Sequence, residues 1–417
     1  MALVYVDDLT EGMVLAADLL TPTGRFVLAA GVCLQAAHLP LLKGWGIIEA
    51  DIEADSLDDS YTEQQEASVE FQERAEAYLW RRFVLNDLDQ EPIATLYRHV
   101  THRAALSLQS GWDPITFRSD SLVVDPEQVP PPLSIPQLLR GDIELFSLPT
   151  VYSHIIELLE QPDISSFRIA NAIDKDPSLT VRLLRLVNSP FYGFAGKIDS
   201  VSRAVSLLGT NELTNLTLGI TVVKQFGQVP SEVLNMDSFW RHSILCGLFA
   251  SYFAEALGEK EPQAYFTGGL LHDIGRLVML ERMPKQYAAA VVKARQEHLP
   301  MCRAEQECLK MDHSLIGKFL AEKWRLSSAL TRMIGGHHSP RLAHYSREAC
   351  LVHLADIFAH ASGHQALLVN EIPELQQRAW TETGLTPEMI APALVKVDQE
   401  FKQIVRVFFA GPDAAEG

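Results

Sequence analysis

The sequence predicts a mainly α protein: a helical bundle preceded by a small β-rich module and a helical connector. Three observations carry that class. Beyond Pro136 apolar residues recur at helical spacing almost without interruption. Residues 1–55 instead alternate short apolar runs with Pro and Gly turn signals. Between the two regimes stand Pro126, Pro130, Pro131, Pro132 and Pro136, whose fixed φ and missing N–H groups prevent a helix or a central strand.

Taken in order, residues 1–55 offer strands at Leu3–Val6, Met13–Ala16, Phe26–Leu28 and Ile47–Ile52, with a helical turn near Pro40–Lys43. The stretch 51–73 then holds nine acidic residues and no Lys or Arg, which marks a solvated linker running into a helix. Residues 56–118 form the helical connector, with apolar residues at helical spacing over 62–86 and 92–109 that predict an antiparallel pair. His99 and His102 share one face of the second helix, but no carboxylate or Cys accompanies them, so they read as an exposed structural pair. Residues 119–136 are a Pro-rich linker. Residues 137–365 form the bundle, with helices over 149–160, 165–175, 177–188, 200–208 and 211–226, and Asp176 capping a helix that has Pro177 in its first turn. Residues 366–410 are a C-terminal helical extension whose helix over 387–409 carries the stripe Ile390, Leu394, Val397, Phe401, Ile404, Val405 and Phe408. That stripe reads as a packing face on the bundle, with a partner or homodimer surface as the alternative. Residues 411–417 are expected to be a disordered tail.

Length and composition bound the function. A chain of 417 residues implies two or three domains, and its 47% hydrophobic content can fill a core. A formal charge of -18 argues against a broad nucleic-acid or anionic-membrane surface, while leaving room for a local basic pocket for a phosphorylated ligand. The amino terminus lacks a signal-peptide layout and no apolar run spans a membrane, so the chain reads as cytoplasmic. Five cysteines without a Cys-x-x-Cys suggest neither disulfides nor a zinc ribbon, and they read as small buried apolar residues.

The chemistry concentrates late: ten of the fourteen histidines lie from His242 onward. The apolar run over 265–280 is interrupted by His272-Asp273. Burying a carboxylate beside an imidazole is costly unless each has a partner, and a divalent metal suits both. Adjacent residues share no helix face, so one ion reaches both only at a helix end, with further ligands from other helices. Candidates are His242, placed in the second turn of a helix capped by Asp237, then His313, His337, His338 and Asp356. Imidazoles with carboxylates suit Fe, Mn, Zn, Co or Ni. Gly317, one turn after His313, removes a side chain from that face and lets another helix approach. His344, His353, His360 and His364 read as solvated or locally hydrogen-bonded, with His353, at i-3 from Asp356, the exception to watch.

These residues resemble a known superfamily. His242, His272-Asp273 and Asp356 fall in the order of the four metal ligands of HD phosphohydrolases, and His313 with His337-His338 resembles the extra histidines of the two-metal HD-GYP phosphodiesterases. The chain is most similar to the HDOD family over roughly 133–365, through Leu148-Pro149, Asp176-Pro177, Leu186-Val-Asn-Ser189 and the run over 198–209. Two departures bear on activity. Arg276 stands where the phosphodiesterases have Lys, and His337-His-Ser-Pro340 lacks both their Glu and their Gly-Tyr-Pro loop. The resemblance therefore implies a bacterial signal-transduction protein that binds a signalling protein partner or small phosphorylated ligand without turnover. The alternative it implies is a metal-dependent phosphohydrolase acting on a nucleotide or cyclic dinucleotide. In that case Asp273 and Arg276 would carry the reaction, Arg276 by binding phosphate, since a guanidinium does not give up a proton at neutral pH. The turn 188–193 reads as a helix C-cap, and the resemblance adds a ligand-facing role for Asn188.

Overall fold

A computed structural model describes residues 2–5, 9, 11–20, 26–39, 42, 49–52, 67–111, 122–138, 150–159, 161, 165–194, 196–225, 233–363, 369 and 371–409. Leu148-Pro149, His364, the tail 411–417 and most of the acidic stretch lie outside the described residues. The chain divides into two compact units, 1–73 with 104–112, and 74–103 with 113–417.

The first unit holds two small antiparallel sheets. β1 (Ala2–Tyr5) pairs with β4 (Glu49–Ile52), and β2 (Leu19–Leu20) pairs with β3 (Phe26–Leu28). Leu9, Met13, Leu15, Leu34, Leu42 and Ile52 bury one another between them. The expected strand over 13–16 is reduced to isolated bridges, Val14 to Cys33 and Leu15 to Ile52. Two helices, α1 (Val69–Arg82) and α2 (Glu91–Gln109), run antiparallel. Ser68 N donates to Gln109 at one end, and Phe83 meets Tyr97 edge-on at the other.

The second unit is helical. After α3 (Ile135–Leu138) come α4 (Thr150–Leu159), α5 (Ser166–Asp174), α6 (Pro177–Val187), α7 (Val201–Leu208) and α8 (Thr210–Gln225), within a residue or two of the sequence expectation. Asp176 caps α6 by accepting from Leu179 N, as its position before Pro177 predicts. The proline stretch lies against the bundle, where Pro131 O accepts from Gln286.

Helix α9 (Met236–Ala256) is the axis. Its residues are buried on every face, which is what a helix apolar all round requires. It packs against α10 (Pro262–Leu271), α16 (Arg347–Ala361) and α18 (Ile390–Phe409). Between α10 and α16 lie α11 (Ile274–Arg282), α12 (Pro284–Glu297), α13 (Met301–Leu309), α14 (His313–Lys323) and α15 (Ser328–Gly336); α17 (Gln377–Thr383) follows α16. Helices α11 and α14 cross at Gly275 and Gly317, where a Cβ on Gly275 would run into the His313 carbonyl and stand 2.7 Å from Gly317 N.

Two expectations change. Helix α9 is capped by Asn235, which accepts from Ser238 N, while Asp237 lies in the first turn and pairs with Arg241. The α18 stripe packs on the bundle as expected, buried against α9 and α6. Of the cysteines, only Cys246 and Cys350 are buried; Cys302 and Cys308 are half-buried and Cys33 is exposed. Among the described residues, no helix is long and apolar enough to cross a membrane.

Candidate metal centre

The apolar run that contains His272-Asp273 does not stay one helix. It breaks at the pair: His272 is the C-cap of α10 and Asp273 the N-cap of α11. Asp273 makes no side-chain cap hydrogen bond, so its carboxylate is available elsewhere. His313 opens α14 behind Asp312, whose side chain accepts from Leu315 N, and His337 is the C-cap of α15 with His338 after it. Helix ends thus deliver five of the seven expected residues. The other two sit within helices, His242 on α9 and Asp356 on α16.

All seven come together. His242 Nε2 lies 3.1 Å from Asp356 Oδ1, His272 Nε2 3.5 Å from both Asp356 Oδ1 and Asp273 Oδ2, and His313 Nε2 3.0 Å from Asp273 Oδ1. His337 Nε2 is 3.7 Å from Asp273 Oδ1, and His338 Nε2 is 2.8 Å from His313 Nε2. Their donor atoms form overlapping groups, Asp273 with His313, His337 and His338, His242 with Asp356 and His360, and His242 with His272 and Asp273. Within each group the atoms lie within 4.8 Å of one another.

The orientation of the rings is fixed from behind. His272 Nδ1 donates to Gly269 O at 2.6 Å and His337 Nδ1 to Ile334 O at 2.7 Å. His313 Nδ1 lies 2.6 Å from Glu305 Oε2, which also accepts from His313 N. A carbonyl oxygen only accepts, so Nδ1 carries a proton in His272 and His337, and each ring turns Nε2 to the carboxylates, where it can hold either a proton or a metal. His272 Nε2 and Asp273 Oδ1 are buried without a hydrogen bond, as are His242 Nδ1 and His360 Nδ1.

Charge makes the same demand. Three buried carboxyl groups, Asp273, Asp356 and Glu305, lie around the buried guanidinium of Arg276, whose Nε lies 2.8 Å from Asp273 Oδ1 without aiming along that line, while a second buried guanidinium, Arg82, donates to the His360 carbonyl. Burial opposes the charge of both aspartates, but Arg276, His272 and His313 hold Asp273 well below the usual carboxylate range, and His360, His242 and His272 do the same for Asp356. Burial and Arg276 likewise oppose a proton on His313, yet Glu305 and Asp273 push it up to about 9, and His272 is raised as well. Burial with His272 and His313 pushes His337 down to about 3. Protons on His272 and His313 offset carboxylate charge in the metal-free chain, and a divalent cation would offset it at the same Nε2 positions. The residues fit a metal.

Other placements differ from the sequence reading. His353, singled out there, is turned away: its Nδ1 donates to His337 O and its Nε2 accepts from Gln376 N. His360, one turn after Asp356 and 3.5 Å from its Oδ1, joins the cluster instead. Its i+4 spacing was the signal. Glu305 had none, since it acts only through His313. Asn188 caps α6, with its amide bonded to the Leu184 carbonyl and to both backbone groups of Ile198. Arg276 lies on the wall of a cavity of about 110 Å³ together with Asp273, His338 and His360.

Residues 145–340, just under half of the chain, match the family model of the HDOD domain. An HDOD domain protein of unknown function from Geobacter sulfurreducens is 24% identical, covers 64% of this chain and 93% of its own, and superposes with a TM-score of 0.50. A candidate phosphohydrolase from Shewanella amazonensis SB2B is 22% identical over 64% of this chain and 95% of its own, also with a TM-score of 0.50. These likenesses establish the fold. A protein of Treponema pallidum (strain Nichols), itself uncharacterized, is 26% identical over 193 residues, 46% of this chain; the match spans 37% of that relative's length.

Proposed function

We propose that the protein is a cytoplasmic signal-transduction protein whose HDOD domain holds a divalent metal, one of Fe, Mn, Zn, Co or Ni, and uses it as a ligand-responsive element without turning over nucleotides. One observation carries this reading: the Nε2 atoms of His272, His313 and His337, fixed from behind, converge on the buried carboxylates of Asp273 and Asp356. His242, His272, Asp273 and Asp356 would hold the ion, with His313, His337, His338 and His360 available to the same ion or a second one. The departures from the phosphodiesterase pattern favour a regulatory role: Arg276 stands where those enzymes have Lys, and His337-His-Ser-Pro340 lacks their Glu and their Gly-Tyr-Pro loop. A signalling protein or small phosphorylated ligand is the partner we expect, and the charge of -18 speaks against nucleic acid or an anionic membrane.

Hydrolysis of a phosphate ester is the second reading, favoured by the cavity that exposes Asp273, Arg276 and His338 together. A bound metal would supply a water of lowered pKa and offset phosphoryl charge. Arg276 and His338 would orient the phosphoryl oxygens, and the buried histidines would keep bulk water out. Metal-loaded protein assayed with bis(p-nitrophenyl) phosphate and a cyclic dinucleotide decides between them. No turnover above the His272→Ala, Asp273→Ala variant upholds the regulatory reading; turnover lost in that variant establishes the enzyme.

A further inference from the structure

Residues 371–376 form one wall of the cavity over the cluster, and their path is set by groups outside it. Asn86 Nδ2 donates to Ile372 O and Pro373 O, each at 3.1 Å, and Asn86 Oδ1 accepts from Leu375 N at 3.0 Å. Ile372 N donates to Arg82 O at 2.8 Å. At the inner end Gln376 Nε2 donates to His338 O at 2.8 Å and Gln376 N to His353 Nε2 at 3.1 Å. A loop segment with bonds at both ends and in its middle is a fixed strap.

The strap leaves little room. The cavity of about 110 Å³ is well below the ~300 Å³ at which pockets for drug-sized ligands begin. Its chemistry is asymmetric: Arg276 paired with Asp273, together with His338 and His360, lies on the cluster side, and Glu371 and Glu374 lie on the strap. A compact anion can reach the ion that the cluster would hold, whereas a nucleotide would need the strap displaced and its own charges held beside two carboxylates.

We propose that residues 371–376, fixed by Asn86, are a size and charge filter that restricts the centre to small oxyanions of the inorganic phosphate class and shuts out nucleotides. The ligand class rests on the metal-centre reading; the filter is a property of the strap alone. Two measurements on the full chain separate them. Metal-loaded wild type, Asn86→Ala and Asn86→Asp are titrated with orthophosphate and with AMP, and Cys302, half-buried on the cavity wall, is timed against a small methanethiosulfonate and a bulky maleimide by peptide mass spectrometry. Wild type is expected to prefer orthophosphate over AMP by roughly tenfold or more, and Asn86→Ala to narrow that gap to about threefold. Asn86→Ala should also capture maleimide at Cys302 roughly tenfold faster, with Asn86→Asp, which keeps the acceptor for Leu375 N, in between. Equal affinities in wild type, binding of neither anion, or an unchanged preference in a folded Asn86→Ala would overturn the ligand class. If wild type takes up no metal, the metal-centre reading fails and the Cys302 rates decide the filter: acceleration upholds it, equal rates overturn it. Should Asn86→Ala not fold, the same comparisons are read from Asn86→Asp.

Discussion

In metal-free protein, burial and the neighbouring charges divide the histidines of the cluster. His313 is pushed up to about 9, so its contribution is complete below its ordinary 6.5 and is lost as the pH rises through about 9. His337 and His360 are pushed down to about 3, mainly by burial and then by neighbouring histidines; they contribute above 6.5 and that contribution erodes as the pH falls toward 3. The melting temperature of chelator-treated protein should therefore peak near pH 6.5 and fall on both sides, whereas added metal should flatten the alkaline side, because the ion replaces the protons. Glu305 should matter as much as a ligand. Glu305→Gln should weaken metal binding roughly 10- to 100-fold in competition with a chromophoric chelator, since His313 loses its charged anchor. Most of the cluster was legible in sequence because His-Asp adjacency within an apolar run has few inexpensive explanations. Glu305 was not, because a residue that acts through another leaves no spacing to read; His360 was readable only once Asp356 was placed on a helix.

Helix ends position the centre. Because His272 closes α10 and Asp273 opens α11, a break in one apolar run presents two neighbouring side chains to the same point. Helix α14 brings His313 in from the other side, and it approaches α11 only because Gly275 and Gly317 meet there. A methyl group on Gly275 meets backbone, which cannot swing aside. Gly275→Ala should cost at least about 3 kcal/mol in chemical denaturation and loosen metal binding even where the chain folds. Helix positions were readable from periodicity, and the Asp176-Pro177 cap held. The α9 cap did not, since Asn235 and Asp237 both suit an N-cap and only tertiary context selects Asn235.

At the scale of the molecule, the mainly α class with a small β module followed from where the periodicity changed. So did the role of the last helix, whose stripe reads as a packing face and is buried against α9 and α6, although the same pattern would serve to pack on another chain. A domain that keeps this full ligand set would tie its fold to an ion. Elemental mass spectrometry on untagged protein, wild type against the His272→Ala, Asp273→Ala variant, decides whether it does. Near-stoichiometric Fe, Mn, Zn, Co or Ni is expected in wild type, with its loss in the variant. Wild type that remains metal-free after reconstitution, or a variant that keeps its metal, would contradict that expectation.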